Sequence, residues 1–154
     1  MSLTTADLST VTQRMASELP YPPRFRRSGR TARLLGTVDG VELWMLCWLP
    51  GQGTGLHDHG GRRTPVPAAF TVVSGALTEF TVAPGEFPTL DRRTFRAGQT
   101  TTVGIRDIHA VINRGNVPAV SVHAYAPRLS MMRSYLFDET GLWLASITRA
   151  GDDW

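Results

Sequence analysis

Two histidines stand one residue apart in the glycine-rich stretch GQGTGLHDHGG, residues 51–61. The chain contains four histidines, so His57 and His59 place two of them within three positions. A neutral imidazole is a common metal ligand, and a strand places side chains two positions apart on one face. The spacing is therefore compatible with a shared metal ion, and equally compatible with two exposed histidines on a loop.

The length and composition describe the protein that must position these histidines. With 154 residues, 42% of them hydrophobic and 19% charged, the chain fits one globular domain over residues 1–154. No apolar run approaches the roughly 20 residues that a membrane-spanning helix needs, and the N-terminus lacks the features of a signal peptide. A single cysteine is typical of a reducing compartment. We therefore expect a cytoplasmic protein with no membrane partner.

Arginine supplies all 16 basic residues, and the net charge is only +3. The densest basic cluster is PPRFRRSGRTAR, residues 22–33. No helix-turn-helix, RNA-recognition or zinc-finger pattern accompanies it. We interpret the cluster as a solvated arm and expect no nucleic-acid partner, with nucleic-acid binding as the alternative.

Short apolar runs separated by glycine and proline follow one helical segment. Helical spacing of apolar residues predicts a helix over residues 5–18, with Asp7 or Thr5 as its cap. Many short strands at this spacing predict an all-β sandwich or small barrel. We expect residues 1–29 to form the helix and arm, 30–130 the core barrel, and 131–154 a C-terminal hairpin. The predicted strands are 31–38, 41–49, 68–75, 76–83, 100–105, 109–114, 119–126, 131–137 and 142–148.

Two motifs in this order resemble those of the cupin family. The first begins at Gly51, followed after five residues by His57 and His59. The second is GQTTTVGIRDIHAVIN, in which His109 and Asn113 hold the expected spacing. The resemblance implies a single cupin (jelly-roll) barrel with His57, His59 and His109 as metal ligands.

The glutamate of the first cupin motif is missing, because its position falls on Ala68. Three neutral histidines leave about three open positions on an octahedral iron, enough for a bidentate substrate and dioxygen. Without a carboxylate ligand, Fe(II) keeps its full charge and favours an anionic sulfur donor. Zn(II) with three histidines and a water is equally consistent with this triad.

A second resemblance is more specific. CWLPGQGTGLHDHGG, GAL-TE, IHAVIN and PAVSVHAYAP, between about residues 30 and 130, resemble the bacterial branch of the cysteine dioxygenase family. The resemblance implies an Fe(II)-dependent enzyme that adds both atoms of O2 to a small thiol, first of all L-cysteine, giving a sulfinic acid. It also implies a catalytic hydrogen-bonded chain of Ser121, His123 and Tyr125. Their alternation along a strand independently places all three on one face.

In that family an arginine upstream of the histidines binds the substrate's carboxylate. Arg33 lies at the matching distance, and Arg30 is the fallback. Mammalian members also link a cysteine after the second histidine to the tyrosine. Here the only cysteine, Cys47, precedes the motif, so we expect it to be ordinary core and expect no thioether.

Other functions remain open at this point. The substrate could be 3-mercaptopropionate or another thiol acid, and the loop carrying Arg62 and Arg63 could reshape the pocket for a larger thiol. A zinc or nickel cupin that acts as a hydrolase or isomerase is a further alternative, as is a binding protein without activity. We expect a monomer or a small homo-oligomer.

Overall fold

A computed structural model describes residues 4–60 and 65–151. The helix α1 covers Thr5–Ser17 and is capped by Thr4. The Thr4 side chain accepts a hydrogen bond from the Asp7 backbone N–H, and the Asp7 carboxylate accepts one from the Thr4 backbone N–H at 2.8 Å. The predicted cap at Asp7 or Thr5 was therefore wrong: Asp7 is the third-position partner of a capping box.

Strands dominate the rest of the described chain, and α1 is too short and too polar to cross a membrane. Two strands were absent from the predicted set. β3 is very short, and β6 has only one buried side chain, Phe95, so neither gives an apolar run. The strands are β1 Thr31–Val38, β2 Val41–Trp48, β3 Leu56–Asp58, β4 Ala68–Ser74, β5 Ala76–Ala83, β6 Thr89–Arg96, β7 Thr100–Val103, β8 His109–Ile112, β9 Ala119–Tyr125, β10 Met131–Asp138 and β11 Gly141–Arg149.

The strands form two antiparallel sheets. One has the order β1-β2-β9-β4-β7 and the other β11-β10-β3-β8-β5-β6. Side chains from both sheets, including Trp48, Phe70, Leu77 and Val111, meet in one fully buried cluster. The all-β prediction with an N-terminal helix and a C-terminal hairpin is confirmed.

The outer face of the five-stranded sheet is covered by α1. Leu8 is fully buried there against Leu43 of β2 and its neighbours. Cys47 is buried beside Met45 and Val120, as expected for ordinary core. β2 is thus buried on both faces, because its odd-numbered residues point towards the outer apolar clusters and Leu46 and Trp48 point between the sheets.

The cavity between the two sheets is lined by His57 and His109 from the six-stranded sheet and by His123 from the five-stranded one. Arg62 and Arg63, which the sequence places beside the second histidine, lie outside the described residues.

Candidate metal centre

The six-stranded sheet brings together histidines that lie about fifty positions apart in the sequence. His57 in β3 stands directly opposite His109, the first residue of β8. His59 follows β3 by one residue, on the same face as His57. One ligand nitrogen from each ring lies within 4.8 Å of the others, and the three side chains are buried.

Glycine lets the chain approach β8 closely just before the first histidine. Gly53 forms an isolated bridge with Ile112, and a Cβ at Gly53 would lie 2.8 Å from the Ile112 Cβ. Gly51 adopts a φ of 83°, in the left-handed region that favours glycine. These two residues explain why the histidine motif follows a glycine-rich run.

Hydrogen bonds made by the Nδ1 atoms orient the rings of His57 and His109. His57 Nδ1 donates to the Gly55 carbonyl at 2.9 Å, and His109 Nδ1 donates to the Glu79 carboxylate at 2.7 Å. Because a neutral imidazole carries one proton, the Nε2 atom of both rings then holds a lone pair.

The spacing of the ring nitrogens fits a shared metal ion. His59 Nε2 lies 3.4 Å from His109 Nε2. Two nitrogens bound tetrahedrally to one ion at 2.0–2.1 Å would be about 3.3–3.4 Å apart. The three histidines therefore have the donor type, the orientation and the separation that a transition metal requires.

The environment keeps two of these histidines, His57 and His59, neutral. Burial, followed by the neighbouring His109, lowers the pKa of His57 to about 3. Burial, with smaller contributions from His109 and His57, holds the pKa of His59 well below its ordinary value. Neutral imidazoles are the form that binds a metal, so near pH 7 neither ring must lose a proton first.

Glu79 is the site residue that sequence reasoning missed. Its carboxylate, 5% exposed, accepts the hydrogen bond from His109 and a weaker one from Thr101 Oγ1 at 3.4 Å. The sequence predicts no carboxylate at the site because Ala68 takes the place of the motif's glutamate, whereas the structure places the Glu79 carboxylate directly behind His109. A glutamate on the inward face of an apolar strand, in GALTE, was the available signal.

The predicted Ser121, His123 and Tyr125 line up along β9, and all three are buried. Trp48 Nε1 donates to Ser121 Oγ at 2.9 Å, and Ser121 Oγ lies 2.9 Å from His123 Nε2. An indole can only donate, so Ser121 Oγ accepts from Trp48, and the same oxygen shares a second hydrogen bond with His123 Nε2. Sequence reasoning also missed Trp48, which orients the serine oxygen.

The Tyr125 ring lies between two of these histidines. Its centroid is 5.1 Å from that of His59, edge to face, and 6.5 Å from that of His123. Burial raises the pKa of Tyr125 above its ordinary value, more than Arg30 lowers it. Burial and the neighbouring His109 lower the pKa of His123 to about 3. Both side chains are therefore neutral near pH 7.

These groups surround a cavity of about 210 Å³. Arg30 lines it together with His57, His109 and His123. The Arg30 Nη1 donates to the Gly53 carbonyl at 2.9 Å, and its guanidinium carbon lies 5.6 Å from the centroid of the Trp48 ring. A half-buried guanidinium thus contributes positive charge to the histidine cavity.

Arg33 does not line this cavity, which corrects the expectation that it reaches the substrate site. It is exposed, with its guanidinium carbon 3.5 Å above the Tyr21 ring, and it lines a different cavity. The reason is strand parity. Arg33 pairs with Met45 of β2, whose side chain points to the outer face, whereas Ala32 pairs with inward-facing Leu46.

Fold and site together are those of a cupin barrel in which three buried histidines are placed so that they could hold a metal ion. The sequence model of cysteine dioxygenase type I matches residues 5–139, and the chain belongs to that family. A search of curated proteins gave no significant match.

Solved structures that share the fold include two oxalate oxidases. One, in complex with the substrate analogue glycolate, is 19% identical with a TM-score of 0.60, covering 80% of this chain and 65% of that one. A recombinant oxalate oxidase in complex with glycolate is 20% identical with a TM-score of 0.56, covering 70% and 55%. The protein TT1209 from Thermus thermophilus is 20% identical with a TM-score of 0.54, covering 69% and 90%. This chain thus spans under two thirds of the oxalate oxidases, and such identities show the fold alone.

Replacing His109 with alanine should weaken metal binding by more than about 100-fold, because one of three converging nitrogens is lost. Competition with a chelator, using Co(II) or Zn(II), measures this without any assay of activity. His123→Ala removes an equally buried imidazole from the opposite sheet and should keep the affinity of the parent protein. Equal affinity of His109→Ala and the parent would contradict the ligand assignment.

Proposed function

We propose that the protein is a mononuclear Fe(II) thiol dioxygenase that converts a small thiol, first of all L-cysteine, to its sulfinic acid. One observation carries this proposal: three buried histidines converge without a carboxylate ligand, and two of them, His57 and His109, share a small cavity with Arg30 and Tyr125. Membership in the cysteine dioxygenase type I family supports it. The overall change is balanced, because the thiol and one molecule of O2 together contain the atoms of the sulfinic acid.

Arg30 is the proposed partner of the substrate's carboxylate. It is the cation of the cavity, and no acidic side chain is among the described residues that line it. Its forked guanidinium can bind a carboxylate through two parallel hydrogen bonds. Paired in this way, a substrate of cysteine's size has its carboxylate held at one side of the cavity, and its thiol is free to turn towards the histidines.

His57, His59 and His109 are the proposed ligands of the iron. Bound there, Fe(II) would supply the redox chemistry that lets dioxygen react with a thiolate. Leu46, Val111 and Met132 give the cavity apolar walls beside its polar groups. A thiolate loses less by leaving water than a hydroxide would, so such a cavity favours sulfur as the reacting anion.

Tyr125 and His123 are the proposed hydrogen-bond donors to the reacting groups. Both line the cavity and both are neutral near pH 7, so each can donate a proton to an acceptor there. The hydrogen bond to Ser121, which is itself held by Trp48, orients the His123 ring. This chain of hydrogen bonds needs no thioether to hold it, since the cysteine of the chain, Cys47, is buried in another cluster.

A thiol acid without an amino group, such as 3-mercaptopropionate, is the second candidate substrate. The observation in its favour is the same lack of acidic side chains around the cavity among the described residues. An ammonium group would have no counter-charge there, whereas a carboxylate has Arg30. A zinc or nickel hydrolase or isomerase is distinguished by its metal requirement.

Protein loaded with Fe(II) should consume O2 when given L-cysteine or 3-mercaptopropionate and should form the sulfinic acid in equal amount. The O2 electrode and mass spectrometry of the product measure the two quantities. The Zn(II)-loaded protein is the matched control and should consume none. No thiol-dependent O2 uptake with iron fully bound, across a panel of small thiols, would refute the proposed activity.

Arg30→Met should reduce kcat/KM for L-cysteine by about 30- to 5,000-fold, the equivalent of roughly 2–5 kcal/mol for one partner of a buried charge pair. The loss for cysteamine, which has no carboxylate, should be much smaller. Arg33→Met is the matched control, because Arg33 lies over Tyr21 outside the cavity, and it should resemble the parent protein. Equal losses for both thiols in Arg30→Met would instead assign Arg30 a structural role through Gly53.

Tyr125→Phe should keep full metal content and lower turnover by roughly 10²–10⁴-fold, the contribution typical of a positioned proton donor. The substitution removes one oxygen from a residue beside His59 without removing a ligand. Tyr21→Phe, outside the cavity, serves as the control and should leave turnover unchanged. A Tyr125→Phe enzyme as fast as the parent would exclude the phenol from the reaction.

A further inference from the structure

We propose that Glu79 is a positioning residue that acts on the metal through His109, supplying the negative charge that the three-histidine ligand set lacks. The proposal rests on the proposed role of His109 as a metal ligand. It assigns to Glu79 a share of the metal affinity and of the redox potential of the bound iron.

The geometry comes from the pairing of β5 with β8. Thr81 of β5 lies directly opposite His109, and Glu79 lies two residues earlier on the same face. This diagonal position brings the Glu79 Oε1 atom to 2.7 Å from His109 Nδ1. The ring of His109 thus connects Glu79, at Nδ1, with the point where the three histidines converge, at Nε2.

The Glu79 carboxylate is buried without an arginine partner among the described residues, so its negative charge needs another counterpart. The carboxylate is 5% exposed, and no arginine forms an ion pair with it in the part of the chain that the structure describes. Thr101 Oγ1 provides only a long hydrogen bond at 3.4 Å. A buried anion requires a positive counterpart. The short hydrogen bond of Glu79 goes to the imidazole of His109, and a divalent cation on the other nitrogen of that ring would provide the counterpart.

Glu42 shows how this protein otherwise buries a carboxylate. It is as buried as Glu79, but Arg128 Nε lies 3.2 Å away and Trp44 Nε1 donates to it at 3.0 Å. Glu42 therefore has its cation within the described chain. The contrast makes Glu42 a matched control for Glu79, with equal burial and a different source of positive charge.

A carboxylate on the far nitrogen of a ligating histidine fixes the ring and makes it a stronger donor. A fixed negative charge close to the metal also favours its higher oxidation state. Glu79 is therefore expected to tighten metal binding and to lower the Fe(III)/Fe(II) potential. Both effects act on the metal through the imidazole of His109, so neither requires Glu79 to touch the substrate.

Glu79→Gln tests the charge while keeping the shape of the side chain. Zn(II) binding, measured by competition with a chelator, should weaken by about 10- to 100-fold. The midpoint potential of the iron-loaded variant should rise above that of the parent. Glu42→Gln should leave both quantities unchanged. Glu79→Gln with the parent's zinc affinity and the parent's potential would overturn the proposal and leave Glu79 a structural residue.

A measurement on the parent protein covers the case in which Glu79→Gln does not fold. The carboxylate ¹³C resonance of Glu79 should shift when Zn(II) binds, and that of Glu42 should not. A Glu79 resonance unaffected by Zn(II) would overturn the proposal. These readouts do not use thiol oxidation: a protein that binds Zn(II) through Glu79-supported His109 but oxidises no thiol would refute the proposed activity and leave this inference standing.

Discussion

The pairing of β3 with β8, which sets His57 directly opposite His109, is the constraint on which the rest of the site depends. A shift of one residue in this register would send every side chain of β3 to the other face. Hydrogen bonds on the opposite face of β3 support this register. Asp58 points away from the histidines and accepts hydrogen bonds from Arg133 Nε at 3.0 Å and from the Tyr135 hydroxyl at 2.7 Å. The C-terminal hairpin thereby fixes the strand that carries His57 and leads directly into His59.

The pairing of the strands also determines where charged and neutral side chains lie around the cavity. Burial keeps His57, His59 and His123 neutral, and the charged groups of the site lie at its margins. Arg30 brings positive charge to one side, and Glu79 brings negative charge behind His109. The histidine cluster is thus flanked by a positive charge on one side and a negative charge on the other.

The sequence predicted the features that depend on residues close together in the chain, such as the alternation of side chains along a strand. Alternation placed His57 with His59 and Ser121 with His123, and apolar runs located nine of the eleven described strands.

The features that the sequence did not predict depend on contacts between distant segments. Glu79 meets His109 across thirty positions of the chain, which requires the register of β5 on β8. Arg33 was preferred to Arg30 on distance along the chain, although Arg33 faces outwards opposite Met45. β6 was not predicted because only one of its side chains, Phe95, is buried, so its sequence shows no alternation of apolar and polar residues.

The long separation of the ligands along the chain has a thermodynamic consequence. A metal held by His59 and His109 acts as a crosslink that closes a loop of about fifty residues, which includes β4, β5, β6 and β7. The unfolded chain has no such preformed site, so the free energy of metal binding adds directly to the free energy of unfolding. A metal bound by the three histidines would in this sense also stabilise the barrel, so the supply of metal would influence the lifetime of the protein.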